Sequence, residues 1–324
     1  MGLLAFLLYL FLFNVDLPTI IETAQSLDLT IYTLSIVFVF VENLFYALSW
    51  RSLLNCLSVK LSVVSVHLYV WYGTFINITV PSASLSGEVS KLYLVTRERA
   101  GTGGKVVATL VAQRVIGIGV VITSLVIGMG VLSAERPASG LPFMLALFFV
   151  LTTILSLVFF VVPCFKEPWT LGIINAVIRF VNYVGGGRWN LAKTKETAIE
   201  AVGVFHDSIK EFGHAPKTLF ASTLFFALSW LSSLSIAYLV LLALGFQVQW
   251  GVILVTCSIV SVLPLRGLPE IGMTTLYTLL GVPPAISATA TILTRILTFW
   301  LRFFVGFAAQ QWLEIKTMAA SARA

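Results

Sequence analysis

The sequence predicts an all-α polytopic membrane protein of about eight spanning helices plus two short broken or re-entrant helices, arranged as an inverted internal repeat. Three observations predict it. The 324 residues are 58% hydrophobic and 10% charged, with a mean hydropathy of +0.99, far from the balance of a soluble domain. Apolar runs close to the roughly 20 residues that a bilayer requires recur along the chain. Finally, Ala47-Leu48-Ser49-Trp50 returns as Ala227-Leu228-Ser229-Trp230.

Taken in order, spans are expected at about 30–50, 61–80, 106–132, 141–163, 217–244 and 284–312, with shorter candidates at 2–13 and 250–264. The 2–13 run has no basic leader and no small-residue cleavage site, so it reads as a short first helix rather than a removed signal peptide. Lysine and arginine in short loops stay on the cytoplasmic side. That rule collects Arg51, Lys60, Arg97, Arg99, Lys105, seven residues from Lys166 to Lys217, Lys316 and Arg323 on one side, and leaves Arg136 on an outer loop. A cell-membrane location with a cytoplasmic C-terminus and a cytoplasmic 164–216 region follows. This topology closes only if 81–96 and 268–281 each carry the chain back, alone or as a broken helix. Five reversals then separate the span at 30–50 from its counterpart at 217–244, which inverts one half relative to the other.

Three regions result. Residues 1–163 form a first transmembrane half, 164–216 a polar linker, and 217–324 a second half. Within the linker Ile199, Val202, Phe205, Ile209 and Phe212 recur at helical spacing, with Lys195, Glu196, Glu200, Asp207, Lys210 and Glu211 elsewhere. This pattern predicts an amphipathic interfacial helix, a strap joining two bundles or a docking site for a partner.

The repeat continues into the charged residues. Pro81 and Gly87-Glu88 are echoed by Pro264 and Leu268-Pro269-Glu270, Leu92-Tyr93 by Leu276-Tyr277, and Ala108-Thr109 before Arg114 by Ala290-Thr291 before Arg295. Pro81, Gly87, Pro264 and Gly267 are the expected helix breaks, since proline lacks a donor and disfavours helix in the residue before it. Lys91, Arg114, Arg266, Arg295 and Arg302 fall at membrane depth, where a charge costs roughly 2.5 to 3.5 kcal/mol on insertion scales and so faces the bundle interior with a partner. One carboxylate and one guanidinium per half, Glu88 with Arg114 and Glu270 with Arg295, form either buried salt bridges or an anion site that opens. Arginine suits two-pronged contact with phosphate or carboxylate. The substrate-binding set is therefore Arg114, Arg295, Arg266, Glu88, Glu270 and Lys91, and the expected ligand a membrane lipid with an anionic headgroup. Glu42 with Asn43 could join the same cavity or be satisfied along its helix.

The run Pro81 to Glu88 with Lys91, Tyr93 and Arg114, followed by Leu263-Pro264-Leu265-Arg266-Gly267-Leu268-Pro269-Glu270-Ile271-Gly272, resembles the transmembrane flippase-like domain of lysylphosphatidylglycerol synthases. The likeness covers nearly the whole chain. It departs from a glycine-rich first motif at Ser84-Leu85-Ser86. The resemblance implies movement of a phospholipid or a polyprenyl phosphate type lipid between leaflets, often beside a synthase or glycosyltransferase as partner.

Other signals are weak. Gly101-Thr102-Gly103-Gly104-Lys105 has Val106 where a phosphate loop needs Ser or Thr, and reads as a turn. Asn77-Ile78-Thr79 is a glycosylation pattern at a helix end and reads as chance. Cys56, Cys164 and Cys257 lie far apart, and no histidine cluster accompanies them, so no metal, cofactor or disulfide framework is expected. No nucleic-acid partner is expected either. Three function classes remain: a lipid translocase by alternating access, a membrane-embedded lipid-modifying enzyme, and a non-catalytic partner of a glycosyltransferase or synthase. The second lacks a nucleophile beside a base, and the third has no need of duplicated buried charge, so a non-enzymatic translocase is expected.

Overall fold

The computed structural model describes residues 17–80, 85–135, 192–262 and 268–321, with short helical pieces between 144 and 176, and among these residues all regular structure is helical. The helices are α1 (Leu17–Gln25), α2 (Leu29–Cys56), α3 (Val63–Thr79), α4 (Leu85–Glu98), α5 (Gly103–Glu135), α6 (Ala192–Gly213), α7 (Pro216–Ala243), α8 (Trp250–Val262), α9 (Leu268–Leu279), α10 (Pro284–Arg295) and α11 (Arg302–Ser321). A π-helical turn over Ile296–Leu301 joins α10 to α11 without a break.

Helix starts follow from local chemistry. The Asp28 carboxylate accepts from the amides of Thr30 and Ile31 at 2.8 and 3.1 Å, capping α2. Ser62 caps α3 by accepting from the Ser65 amide at 3.0 Å, while α7 and α10 open on Pro216 and Pro284, whose missing N–H costs nothing in a first turn.

Part of the expected set of eight spans is observed. Among the described residues four helices are long and apolar enough to cross a membrane: Leu29–Cys56, Gly103–Ala134, Pro216–Ala243 and the continuous Pro284–Lys316. At ~1.5 Å per residue, α8, with 13 residues, reaches about 20 Å, short of a core roughly 30 Å thick. The expected spans at 2–13 and most of 141–163, and the helix breaks at Pro81, Pro264 and Gly267, lie outside the described residues.

In each half a long helix is followed by two short ones and another long one: α2 to α5, then α7 to α11. The halves interlock through equivalent helices. Ser49 Oγ lies 3.0 Å from Ser222 Oγ, Phe45 stacks on Phe225 at 6.4 Å between centroids, and Ser229 donates to the Glu42 carbonyl at 2.9 Å. Contacts that fall on one helix as they rise on the other mean that α2 and α7 run antiparallel. The packing is also reciprocal, since α3 lies against α11 and α8 against α5. A Cβ on Gly306 would come within 2.7 Å of the Trp71 carbonyl oxygen, and at the corresponding place Ser258 donates to Ser124 at 3.1 Å.

The amphipathic linker helix is α6. It buries Phe205 and Phe212 against Leu53 and Leu57 of α2 and Ala108 of α5, so it is docked on the bundle. A Cβ on Gly104 would meet the Ala201 carbonyl oxygen at 2.6 Å, which is what lets α5 approach α6 so closely. At the same end Lys105 Nζ donates to the Leu57 carbonyl and Arg51 Nε to the Leu61 carbonyl, so basic residues near the α2–α3 and α4–α5 connections gather there.

Candidate functional site

The site grows from a hairpin. α4 folds back along α3, tied by Tyr69, whose hydroxyl donates to Glu98 Oε2 at 2.6 Å, and by Asn77, whose Oδ1 accepts from the Gly87 amide at 2.7 Å. Gly87 therefore has a role other than the expected helix break. It lies in the first turn of α4, where a Cβ would sit 2.3 Å from the Gly73 carbonyl oxygen. Two facing glycines bring the backbones together and leave Lys91 nowhere to go but inward.

Lys91 is 4% exposed and pairs with Glu88 at 2.8 Å. Its ammonium also lies 5.3 and 5.0 Å from the ring centres of Tyr46 and Trp50, a cation–π arrangement that offsets part of its desolvation. Glu88 benefits from the positive end of the helix dipole in the first turn of α4.

A second ion pair joins the halves. Glu42, about 13 residues into the 28-residue α2, binds Arg302 at the start of α11. At ~1.5 Å per residue it lies about 20 Å from either end of its helix, at mid-bilayer depth. The two pairs line one cavity of about 140 Å³ with Asn43, Tyr46, Thr74 and Asn77. Its charges balance, two carboxylates against two cations. Asn43 is buried, and its Oδ1 has no hydrogen-bond partner among the described residues. That open acceptor and the two cations are what the cavity offers a ligand.

The second half holds its own pair, Arg295 to Glu270 at 2.6 Å, with the guanidinium 5.4 Å from the Phe299 ring. Glu270 occupies the first turn of α9 as Glu88 does in α4. This pair does not line the cavity.

Of the sequence-derived residues, the structure thus joins Glu88 with Lys91 and Glu270 with Arg295. Arg114 is exposed on α5 and makes no ion pair among the described residues. The expected Glu88–Arg114 pairing is not the one formed, because Lys91, one turn along α4, reaches the carboxylate first. Arg266 lies outside the described residues. Sequence reasoning placed Arg302 at depth and raised Glu42 and Asn43 without joining them, and it took Asn77 for a chance sequon. The signal used for Glu42 was an acid inside a span, which names no partner 260 residues away; the missed signal for Asn77 was its spacing of ten from Gly87.

The comparisons with known proteins agree with this architecture. Residues 1–306 match the model of the lysylphosphatidylglycerol synthase TM region. A UPF0104 membrane protein of Pyrococcus horikoshii is 22% identical over 88% of each chain. One of Methanothermobacter thermautotrophicus is 24% identical over 90% of this chain and 88% of the relative. One of Methanocaldococcus jannaschii is 21% identical over 80% and 78%. The chain is a multi-pass membrane protein that belongs to the lysylphosphatidylglycerol synthase TM-region family.

Proposed function

We propose that this protein is a flippase-like transporter of the cell membrane, moving an anionic lipid or lipid-linked headgroup of the phospholipid or polyprenyl phosphate type between leaflets, with no catalytic step. The observation that carries the reading is the charge-balanced cavity at mid-bilayer depth, closed by an ion pair between the halves, Glu42 to Arg302. Buried charge is retained in a membrane where it works on ions or headgroups.

The two halves act as an inverted repeat. Antiparallel α2 and α7 and the exchange of partners between α3, α5, α8 and α11 support that relation, and transporters so built bind substrate near the midplane and rock one half against the other. A headgroup phosphate displaces Glu42 from Arg302 and Glu88 from Lys91, while the acyl chains stay in lipid. Arg114, exposed on α5, meets the phosphate first. The end that gathers Arg51, Lys60, Arg97, Arg99 and Lys105 is cytoplasmic, as is the C-terminus, and α6 at that end is where a synthase or glycosyltransferase partner would dock.

The test is reconstitution in liposomes carrying an asymmetrically labelled anionic phospholipid or, separately, a polyprenyl phosphate, with headgroup accessibility followed over time. Movement by the wild type that is lost in Arg302→Ala is the expected result. No movement of either lipid by a well-folded protein would remove the transporter reading.

A further inference from the structure

The last long helix departs from α geometry at one place, the π-helical turn Ile296–Leu301, and that turn lies directly between the two arginines that hold the ion pairs. A π turn carries i→i+5 hydrogen bonds, and such single turns inside α-helices occur frequently at functional sites. In an uninterrupted α-helix seven residues advance roughly 700°, about 20° short of two turns, so Arg295 and Arg302 would share a face. The extra residue taken up by the π turn leaves them roughly 600° apart, about 120° short of two turns, instead. They accordingly reach carboxylates on different helices, Arg295 to Glu270 on α9 and Arg302 to Glu42 on α2.

Two hydroxyls bond carbonyls just before the turn. Tyr32 donates to the Leu293 carbonyl at 3.1 Å. Thr298 donates its hydroxyl to the Thr294 carbonyl at 2.9 Å, the acceptor that the Thr298 amide would use in an α-helix. A π turn can pass along a helix by exchanging one hydrogen bond at a time. The residues it passes rotate by roughly 100°, while both ends of the helix keep their register. On the C-terminal side the register is fixed by Gly306, pressed against the Trp71 carbonyl.

We propose that the π turn is a register joint that gates the cavity. With the turn at Ile296–Leu301, Arg302 rests on Glu42 and the cavity is closed. With the turn passed beyond Arg302, the guanidinium swings off Glu42, and an anionic headgroup takes its place against Lys91 and Arg302 as the halves rock. The consequence for transport rests on the transporter reading above; the joint itself does not.

Deleting Thr298 tests it. Removing the one extra residue leaves a continuous α-helix in which Arg295 and Arg302 are six positions apart, roughly 600°, and so keep their present relative direction. Both ion pairs survive and only the ability to shift is lost. The expected result is a folded protein with a wild-type melting temperature and lipid movement reduced about tenfold or more. Wild-type movement in the deletion variant would overturn the proposal, whereas failure of the wild type itself to move lipid would count against the transporter reading.

Amide exchange on the intact chain decides the case if the deletion variant fails to fold. In nanodiscs of phosphatidylcholine, amides from 296 to 306 should exchange about tenfold or more faster than those of α7 from 234 to 241. Added phosphatidylglycerol should redistribute that fast set, and Thr298→Val should enhance it. Uniformly slow exchange, unmoved by lipid or by Thr298→Val, would overturn the joint independently of any transport measurement.

Discussion

At equivalent places on their long helices, the first half carries Glu42 and Asn43 and the second carries Ser222 and Thr223. The surrounding sequence is nearly the same, Leu44-Phe45-Tyr46-Ala47-Leu48-Ser49-Trp50 against Leu224-Phe225-Phe226-Ala227-Leu228-Ser229-Trp230, and the two stretches pack on each other. Backbone and packing are thus shared between the two stretches, while the mid-helix carboxylate that lines the cavity is carried by the first alone. The Glu88–Lys91 pair opens onto the cavity, and the Glu270–Arg295 pair does not. The matching stretches of α2 and α7 fit together, and of the four positions compared Glu42 and Asn43 line the cavity.

The sharpest way to break this comparison is to remove charge from the first half. Lys91→Ala leaves the Glu88 carboxylate, 29% exposed, without its partner, and such a loss costs about 2 to 3 kcal/mol, less than for a fully buried pair. The expected outcome is a large fall in melting temperature in detergent and loss of lipid movement. Unchanged stability would mean that Glu88 finds another cation.

Gly87→Ala should come next. The added Cβ would fall 2.3 Å from a carbonyl oxygen, so the α3–α4 hairpin must separate, at about 1 to 3 kcal/mol. Gly306→Ala probes the α3–α11 contact in the same way, through a Cβ 2.7 Å from the Trp71 carbonyl oxygen. Thermal unfolding of both variants checks that the tight crossings are structural in each place.

Glu42→Ser gives the first half the second half's residue and strands Arg302. Lipid movement should fall about tenfold or more, the double variant Glu42→Arg with Arg302→Glu should recover part of it, and Ser222→Glu added to Glu42→Ser should not. Recovery by Ser222→Glu would show that the two sides are interchangeable.

The smallest expected effect separates the repeat's two tryptophans. Trp50 Nε1 donates to Thr109 at 3.0 Å, whereas Trp230 Nε1 has no partner among the described residues. Trp50→Phe should therefore cost about 1 kcal/mol more than Trp230→Phe in equilibrium unfolding. Equal losses would mean that the tryptophans matter only by their bulk.

Much of this architecture was legible in the sequence. The long spans, both short helices and the amphipathic 199–212 face follow from apolar run length and helical periodicity, which are local properties. The Glu270–Arg295 pair was legible too, because the repeat sets its two members at a spacing found in both halves. Glu88 with Lys91 was missed as a pair for the opposite reason: the repeat drew attention to Arg114, while a contact one turn away in the same helix competes more strongly than one 26 residues distant.

By itself, then, the sequence determined that the chain lives in a membrane, that several of its segments recur, and that charges fall inside apolar runs, because hydropathy, repetition and charge are written residue by residue. Only the tertiary structure decided that Arg302 meets Glu42 across 260 residues, that Asn77 braces a hairpin, that Gly87 joins helices, and that the cavity lies on one side of the repeat. Each of those depends on which helix faces which and by how much each is rotated. In the last helix that rotation is set by one π turn, which hydropathy and residue spacing do not reveal.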